Sequence, residues 1–248
     1  MHEVAILENE TLEDLQIKGL KLIQKKKGFR FGMDSVLLAD FAFIKRTDFV
    51  ADFGTGTGIL PLLLYARDKG SHFLALEIQP EMVEMAQRTM RLNHLEDQIE
   101  VRQMDIEKST EDILPCTMDA IVCNPPYGIP GKAVRNQSET LMISRHQNEN
   151  TLDAFFAAAF KMLKGKGRLF LVYPASQMLQ LMTALKHNHL EPKRFRLVYP
   201  SLQEGANLVL MEAVKDAKPL LQPLPPLIVF NENRTLTNEL KSIYHIKE

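Results

Sequence analysis

Four consecutive residues, Asn124, Pro125, Pro126 and Tyr127, carry the most specific chemistry in the chain. They follow an apolar run over residues 118–123 that predicts a buried strand, and this strand must end here because a proline has no N–H to donate to a sheet. The strand end then offers a side-chain amide oxygen, a proline carbonyl and an aromatic ring. Two acceptors and a stacking face suit a planar group that carries an NH2, such as an adenine, a cytosine or a primary amide. A proline-stiffened strand end with a core tyrosine is the plainer interpretation, and it is favoured unless a ligand-binding loop accompanies the motif.

Such a loop precedes the motif in the chain. Gly54, Gly56 and Gly58 follow a predicted buried strand over residues 49–53 and precede a helical run over residues 59–66. Strand, glycine loop and helix form the first unit of a doubly wound nucleotide-binding sheet. The G-x-G-x-G spacing differs from the G-x-G-x-x-G of dinucleotide folds, and the loop has no Lys to cradle a phosphate. Because glycines let the backbone bend tightly against a ligand, the loop favours the functional interpretation of the four-residue motif.

Each of the first three predicted strands of this sheet ends in an acid: Asp52, Glu77 and Asp105. The second and third strands are predicted over residues 72–76 and 99–104. In a parallel sheet these ends meet at the edge where ligands bind, and an acid after the second strand accepts hydrogen bonds from a ribose diol. Three carboxylates would repel a pyrophosphate and attract a cation, which favours S-adenosylmethionine, with its ammonium and sulfonium, over a dinucleotide. Without the glycine loop, Glu77 would be interpreted as a surface acid.

The residues beside two of these acids suit a cofactor adenine. Asp105 can accept a hydrogen bond from the exocyclic amine of the ring, and Ile78 and Ile106 can pack on its two faces. A helix is predicted after Pro80, with methionines on its apolar face. We interpret those methionines as core residues that cover the sheet.

Short β-like pieces at residues 15–17 and 20–24 predict a hairpin-like extension within residues 3–31, with Gly19 near its turn. Residues 25–31 then interleave cations with two phenylalanines, as a surface for single-stranded RNA or phosphates would. A solvated charge run beside core aromatics is an equal alternative.

Further helices and strands alternate along the rest of the chain. Asp34 and Ser35 are predicted to cap a helix that ends near residues 45–46. Residues 165–167 are predicted to break a helix, and the prolines of residues 219–226 exclude a helix or a central strand. The remaining predictions are helices over residues 151–163, 176–187 and 237–244, and strands over residues 168–174, 193–199 and 207–214.

Composition and charge set the broad class. With 248 residues, 45% of them hydrophobic and 25% charged, the chain can bury a single sizeable core. A net charge of −1 gives no overall basic excess, so any nucleic-acid surface must be local. The two cysteines, Cys116 and Cys123, support neither a disulfide framework nor a metal cluster. Because the sequence has neither a signal-peptide pattern nor an apolar stretch of membrane-spanning length, we expect a cytoplasmic protein.

Several cations could form a local basic surface in addition to residues 25–31. His146 lies before a predicted helix and could contact a substrate backbone. A lone histidine in such a position is more often simply solvated. The other candidates are Lys132 and Arg135 in the loop over residues 128–138, Arg145 beside His146, and the cations of residues 193–196.

Together these motifs resemble those of the class I S-adenosylmethionine-dependent methyltransferases, and N-P-P-Y resembles the motif of members that methylate a planar nitrogen. Within that group the chain is most similar to the bacterial tRNA adenine-N6 methyltransferases that modify adenine 37 of a valine tRNA. The similarity covers nearly the whole chain. Besides the motifs above and Arg145-His146, it is carried by G-F-R-F at residues 28–31, D-S-V-L-L at 34–38, L-E-P-K-R at 190–194 and N-L-V-L-M-E-A at 207–213.

The resemblance implies an α/β fold with a Rossmann-like sheet of seven strands, mostly parallel with an antiparallel last strand, flanked by helices. It implies one methyltransferase domain over residues 1–248, with a small β-rich extension at residues 1–31 and a catalytic core at residues 32–248. The implied cofactor is S-adenosyl-L-methionine, and the implied partner is a tRNA whose single-stranded loop presents a flipped adenine. Neither a metal nor a membrane is implied.

The resemblance also assigns roles to individual residues. Asn124 and the Pro125 carbonyl would accept both N–H bonds of the target amine, and Tyr127 would stack on the base. The implied catalytic residues are Asn124, Pro125, Pro126 and Tyr127. The implied cofactor contacts are Asp34, Asp52, Gly54, Gly56, Gly58, Glu77, Ile78, Asp105, Ile106 and Asn124. The implied substrate contacts are Tyr127, Arg30, Lys132, Arg135, Arg145 and His146.

Acceptors in this arrangement would fix the amine for an in-line displacement without a covalent intermediate. Two alternatives stay open. A protein glutamine-N5 methyltransferase that acts on a release factor would use the same acceptors, although the roughly 50 residues before the glycine loop are too few for the helical N-terminal domain of those enzymes. A non-catalytic RNA-binding protein with this fold is the second, and the intact asparagine and glycines argue against it.

Overall fold

The computed structural model describes residues 4–27, 32–106, 115–125 and 149–246. The longer strands are β1 (Glu10–Asp14), β2 (Lys21–Lys25), β3 (Phe49–Phe53), β4 (His72–Glu77), β5 (Ile99–Gln103), β6 (Met118–Cys123), β7 (Leu163–Pro174), β8 (Leu190–Tyr199) and β9 (Leu208–Lys215). Two-residue strands are β10 (Gln222–Pro223) and β11 (Leu227–Ile228). The helices are α1 (Met33–Phe41), α2 (Ile59–Ala66), α3 (Pro80–Leu92), α4 (Glu149–Met162), α5 (Met178–His187) and α6 (Asn238–Ile243), and a short 3-10 turn (Ala175–Gln177) precedes α5.

Nine strands form one sheet in the order β5-β4-β3-β6-β7-β9-β8-β10, with β11 also paired to β8. β9 is antiparallel to β7 and β8, and every other neighbouring pair in this sheet is parallel. This sheet has seven longer strands, β3 to β9, and the last of them in the chain, β9, is the antiparallel one. The predicted α/β fold is therefore confirmed. The sequence did not predict β10 and β11, which lie beside β8 at the edge, where prolines are tolerated.

Helices cover both faces of the sheet, so the central strands are apolar at consecutive positions. Val50 and Val122 belong to the core on the face covered by α1, α2 and α6. Ala51 and Ile121 belong to the core on the opposite face, with α4 and α5. The methionines predicted as core residues are also confirmed. Those buried in α3 are Met82, Met85 and Met90.

The N-terminal extension is a hairpin of β1 and β2, as predicted. Gly19 has a φ of +68° in its turn, but residues 15–17, predicted as strand, belong to that turn. A buried ion pair fastens the hairpin to α3, because the Arg88 guanidinium donates to Glu10 at 2.5 and 2.7 Å. These hydrogen bonds hold the pKa of Glu10 below its usual range.

The first helix differs from its prediction at both ends. α1 follows Gly32, which makes no side-chain cap, so Asp34 lies inside the first turn and does not cap the helix. At the other end, Lys69 Nζ donates to the carbonyls of Ala39 and Asp40, each at 2.7 Å. These contacts satisfy carbonyls that a helix terminus leaves unpaired, and α1 ends well before residues 45–46.

β7 begins directly after α4, so residues 165–167, predicted as a break between the two, lie inside this strand. Leu163 pairs with Met118, and Arg168 pairs with Ala120. Five steps along β7 therefore match two steps along β6, so the glycine-containing run between these pairs is a bulge.

Among the described residues, none of the helices has the length and apolar content that crossing a membrane requires. The same residues contain no group of three or more His, Cys, Asp or Glu side chains placed to hold a metal ion.

Candidate active site

The pairing register brings the ends of β3, β4 and β6 to one edge of the sheet. Asp52 on β3 lies opposite Ala75 of β4 and Val122 of β6. Glu77 and Asn124 are each two residues beyond these partners, so all three side chains project from the face covered by α1 and α2. β3 lies between β4 and β6, where the strand order reverses and where such sheets bind ligands.

The three loop glycines have positive φ values: +72° for Gly54, +56° for Gly56 and +84° for Gly58. A Cβ on Gly54 or Gly56 would meet nothing within 4 Å, whereas a Cβ on Gly58 would lie 2.4 Å from Met90 Cε. The Gly54 N–H donates to the Leu76 carbonyl at 2.9 Å and so fastens the loop to β4. Gly54 and Gly56 therefore form an open cradle, while Gly58 lets α2 and α3 pack closely, a role that the sequence did not indicate.

Glu77 is held in place by the backbone beside this cradle. Its Oε2 accepts the Gly56 N–H at 2.9 Å, and its Oε1 accepts the Gln79 N–H at 3.0 Å. A carboxylate has about four acceptor sites, so Glu77 keeps lone pairs for further donors. The residue predicted to bind a ribose diol thus has a fixed orientation next to the glycine loop.

Asp52 has the opposite environment. Its side chain is 1% exposed, and neither of its oxygens has a hydrogen-bond partner among the described residues. Burial raises the pKa of Asp52 to about 7; the nearby Thr55 hydroxyl opposes this rise, and the charge of Glu77 adds to it. A buried carboxylate without a partner is costly, so Asp52 is poised to receive a donor or a cation.

The predicted adenine contacts lie at the ends of β4 and β5. Glu77 pairs with Gln103, so Ile78 and Asp105 follow these strands at the same edge. Ile106 is buried and Asp105 is partly buried, whereas Ile78 is 55% exposed. This edge therefore presents an exposed apolar side chain next to the ribose acceptor, as an adenine site requires.

The acceptor motif lies on the other side of β3. Asn124 is partly buried directly after β6, and Pro125 is buried. Asn124 Nδ2 donates to Ser35 Oγ on α1 at 3.4 Å. The sequence predicted Ser35 only as part of a helix cap, and no local pattern could signal a contact between residues 89 positions apart. Asp34 lies next to it, in the first turn of α1.

Other predicted site residues lie outside the described residues. These are Arg30, Pro126, Tyr127, Lys132, Arg135, Arg145 and His146. Four of the predicted cations that the structure does describe have a partner, and the acids beside Arg194 and Arg196 reduce the free positive charge of residues 193–196. The pairs are Lys25 with Glu81 at 2.6 Å, Arg196 with Glu239 at 2.7 Å, Arg194 with Glu212, and Lys193 with the Lys218 carbonyl at 3.1 Å.

Three features of this edge fit S-adenosylmethionine. Gly54 and Gly56 leave room for a ligand against the backbone. Glu77 offers oriented acceptors to a ribose. The carboxylate of Asp52, which has no hydrogen-bond partner in the described part of the chain, suits a cationic ligand, whereas a pyrophosphate beside the buried acids Asp52 and Glu77 would be repelled.

Comparison with known proteins agrees with this geometry. The model of the methyltransferase small domain family matches residues 32–191. A Haemophilus influenzae (strain 86-028NP) protein named tRNA1(Val) (adenine(37)-N6)-methyltransferase is 31% identical over 173 residues, which cover 68% of this chain and 72% of the relative. Relatives of the same name from Bacteroides thetaiotaomicron and Parabacteroides distasonis are 28% and 27% identical, over 72% and 84% of this chain and 74% and 85% of the relatives.

Solved structures share the fold. A predicted O-methyltransferase of Agrobacterium tumefaciens has a TM-score of 0.70 at 22% identity, over 86% of this chain and 96% of the other. P. horikoshii TYW2, solved in complex with MeSAdo, has a TM-score of 0.56 at 17% identity, over 85% of this chain and 73% of the other. The chain belongs to the methyltransferase small domain family, in the group that includes the tRNA1(Val) (adenine(37)-N6)-methyltransferases, and it is an S-adenosylmethionine-dependent methyltransferase.

Proposed function

We propose that the protein methylates the N6 amine of adenine 37 in the anticodon loop of a valine tRNA. Relatives that match 68% to 84% of this chain carry that activity in their names. The observation that carries the proposal is the position of Asn124 and Pro125, which follow β6 beside β3 and its glycine cradle. Two acceptors at this point suit an exocyclic amine, which has two N–H donors.

Each described residue has a distinct task in this proposal. S-adenosylmethionine, when bound, supplies an electrophilic methyl group. Asp52 faces its methionine half, Glu77 its ribose and Asp105 its adenine. Asn124 Oδ1 and the Pro125 carbonyl accept the two N–H bonds of the target amine and so direct the nitrogen lone pair towards the donor. Because an exocyclic amine is uncharged at neutral pH, no general base has to remove a proton before the attack. The N–C bond would form as the methyl–sulfur bond breaks, S-adenosylhomocysteine would leave, and the nitrogen would then lose one proton to solvent.

The base reaches these acceptors only when it is unstacked, which costs least in a single-stranded loop. In the proposal Tyr127 stacks on the flipped adenine, and basic side chains contact the phosphates, so binding weakens with salt. Such an enzyme acts in the cytoplasm, and residues 32–248 form its catalytic core. The proposed phosphate-binding side chains are Arg30, Lys132, Arg135, Arg145 and His146.

Mass spectrometry of nucleosides from total tRNA, with and without the gene, tests the proposal. We expect N6-methyladenosine to be lost from these nucleosides without the gene. The purified protein with labelled S-adenosylmethionine is expected to methylate the unmodified valine tRNA transcript. The matched control is a transcript with guanine at position 37, which is expected to stay unlabelled.

Persistence of the modified nucleoside in the strain that lacks the gene would contradict the proposal. Labelling of the purified release factor, with no labelling of tRNA, would instead identify a glutamine amide as the acceptor. The two substrates are therefore assayed side by side with the same enzyme preparation.

A further inference from the structure

The side chain of Asn124 is held by one described contact, and that contact comes from α1. Asn124 Nδ2 lies 3.4 Å from Ser35 Oγ, and within the described residues this is the only hydrogen bond of the Asn124 side chain. Ser35 is 2% exposed, so water does not compete for its hydroxyl. The hydroxyl is therefore placed to limit rotation of the amide.

The direction of this hydrogen bond matters for an acceptor role. An asparagine amide has an oxygen that accepts and a nitrogen that only donates. With the nitrogen towards Ser35, the oxygen has no hydrogen-bond partner among the described residues and can accept from a ligand. A serine hydroxyl would also tolerate a flipped amide, but a target amine brings two N–H donors and thus selects the orientation in which Asn124 Oδ1 is free.

The element that carries Ser35 is firmly anchored. Val36, Leu37 and Leu38 next to it are buried in the core between α1, α2 and the sheet. Lys69 binds the carbonyls at the other end of α1 with two contacts of 2.7 Å. Because α1 is anchored at its end and along its buried face, Ser35 cannot move with Asn124. Its hydroxyl can therefore fix the position of the Asn124 side chain.

We propose that Ser35 is a positioning residue for methyl transfer, which fixes the place of the Asn124 amide after β6 so that its oxygen can accept a hydrogen bond from the target amine. This inference rests on the proposed role of Asn124 as an acceptor. Since displacement of a reacting group by about 1 Å can cost as much as 100-fold in rate, loss of the Ser35 hydroxyl is expected to lower kcat by about 10-fold. The KM for tRNA and the affinity for S-adenosylmethionine are expected to stay within about 2-fold, because the described hydrogen bond of the Ser35 side chain goes to Asn124.

Kinetics of Ser35→Ala, Ser35→Cys and Ser35→Thr test this inference. Alanine removes the hydroxyl, cysteine replaces it with a weak acceptor of similar shape, and threonine keeps it. We expect kcat to fall for the first two variants and to recover in Ser35→Thr. If Ser35→Ala does not fold, as judged by circular dichroism, Ser35→Cys carries the comparison.

A double-mutant cycle separates positioning from a general structural role. In the Asn124→Ala background, Ser35→Ala is expected to have no further effect on the residual rate, because the group it positions is gone. Thr89→Val is the matched control: its hydroxyl is equally buried and accepts the Ile23 N–H at 3.2 Å, but it lies on α3 away from the acceptor motif. This control is expected to lower stability and leave kcat unchanged.

The outcomes distinguish this inference from the proposed function. If the parent enzyme methylates tRNA and Ser35→Ala matches it, or if the two substitutions multiply their effects independently, the inference is wrong and the proposed function stands. If the parent enzyme methylates a release factor instead, the proposed function is wrong, and the same cycle on that acceptor decides whether Ser35 positions Asn124.

Discussion

The two sides of the candidate site are built in different ways. The donor side consists of the glycine loop with Asp52, Glu77 and Asp105, at the ends of β3, β4 and β5, and backbone N–H groups hold the loop and Glu77 with hydrogen bonds of 2.9 to 3.0 Å. The acceptor side consists of Asn124 and Pro125 after β6, and its described polar anchor is one side-chain contact of 3.4 Å to α1. The positions of the cofactor-binding residues therefore follow from the pairing of neighbouring strands. The position of the Asn124 side chain depends in addition on the packing of α1, which is far from it in the sequence.

Two of the three acids on the donor side, Glu77 and Asp52, have opposite environments. Both oxygens of Glu77 accept backbone N–H groups, whereas neither oxygen of Asp52 has a partner among the described residues. Glu77 is thus prepared for its ligand at little cost, and Asp52 stores an unfavourable interaction that a cationic ligand relieves. Substitutions on both sides of the site test this difference, beginning with the one that should lower activity most.

The largest effect is expected for Asn124→Ala on the acceptor side. Loss of its acceptor should lower the single-turnover rate of methyl transfer by about 100-fold or more, as for other preorganised groups that orient reacting atoms. Affinity for S-adenosylmethionine by calorimetry should stay within about 3-fold, because the donor side is intact. Asn188→Ala, which removes an amide bonded to Asp153 away from the site, is the control. Transfer at the parent rate by Asn124→Ala would refute the acceptor role.

A second effect concerns the charge of Asp52. Asp52→Asn should weaken S-adenosylmethionine binding by about 10-fold or more, since a hydrogen bond to a charged group contributes roughly 1.5–3 kcal/mol. The parent's affinity should rise as pH increases through about 7, where Asp52 ionises, and the variant's should not. Calorimetry between pH 6 and about 8.5 compares the two proteins. Identical pH profiles would exclude Asp52 from the cation site.

The same substitution should stabilise the ligand-free protein. The pKa of Asp52 is about 7 in the fold and 3.8 as its ordinary value, so the folded state holds this proton more tightly than the unfolded state. The contribution of Asp52 to stability is therefore greatest below about pH 4 and falls as pH rises to about 7, by at most about 4 kcal/mol. Denaturant unfolding should show that the advantage of Asp52→Asn grows over this range; a constant difference would contradict the shift.

A smaller effect is expected for Glu77→Ala. Loss of the ribose acceptor and of the partner of the Gly56 N–H should weaken S-adenosylmethionine binding by about 10-fold, the effect of one hydrogen bond to a charged group. Glu81→Ala is the control, because this nearby acid is exposed and pairs with Lys25. Calorimetry at constant pH should detect weaker binding for the first variant only. Equal affinities would remove Glu77 from the site.

The smallest effect separates backbone strain from ligand contact. Gly56 and Gly19 both have positive φ, +56° and +68°, and both have open space where a Cβ would lie. Alanine at either position should therefore cost about 1–2 kcal/mol of unfolding free energy. Only Gly56→Ala should also weaken S-adenosylmethionine binding, since its Cβ would enter the cradle. Equal cofactor affinities for the two variants would show that Gly56 does not border the ligand.

Prediction from the sequence succeeded where the physical cause is local. Successive apolar residues identified β3 and β6, and the glycine loop and the prolines located the ends of these strands. Prediction failed where contacts with residues far away in the sequence determine the local structure. Residues 165–167 were expected to separate a helix from a strand, but pairing with β6 draws them into β7. The cations of residues 193–196 suggested a free basic surface, but Arg194 and Arg196 are paired with Glu212 and Glu239.

The sequence alone indicated that the functional groups meet at one edge of the sheet. Parallel strands joined by right-handed crossovers place their carboxyl ends together, so acids at the ends of three strands and an asparagine after a fourth lie at that edge. The packing of the folded chain decides which of these groups already have hydrogen-bond partners and which are left for a ligand. That distinction depends on contacts such as Ser35 with Asn124 and Gly56 with Glu77, which join residues far apart in the chain and therefore leave no local pattern.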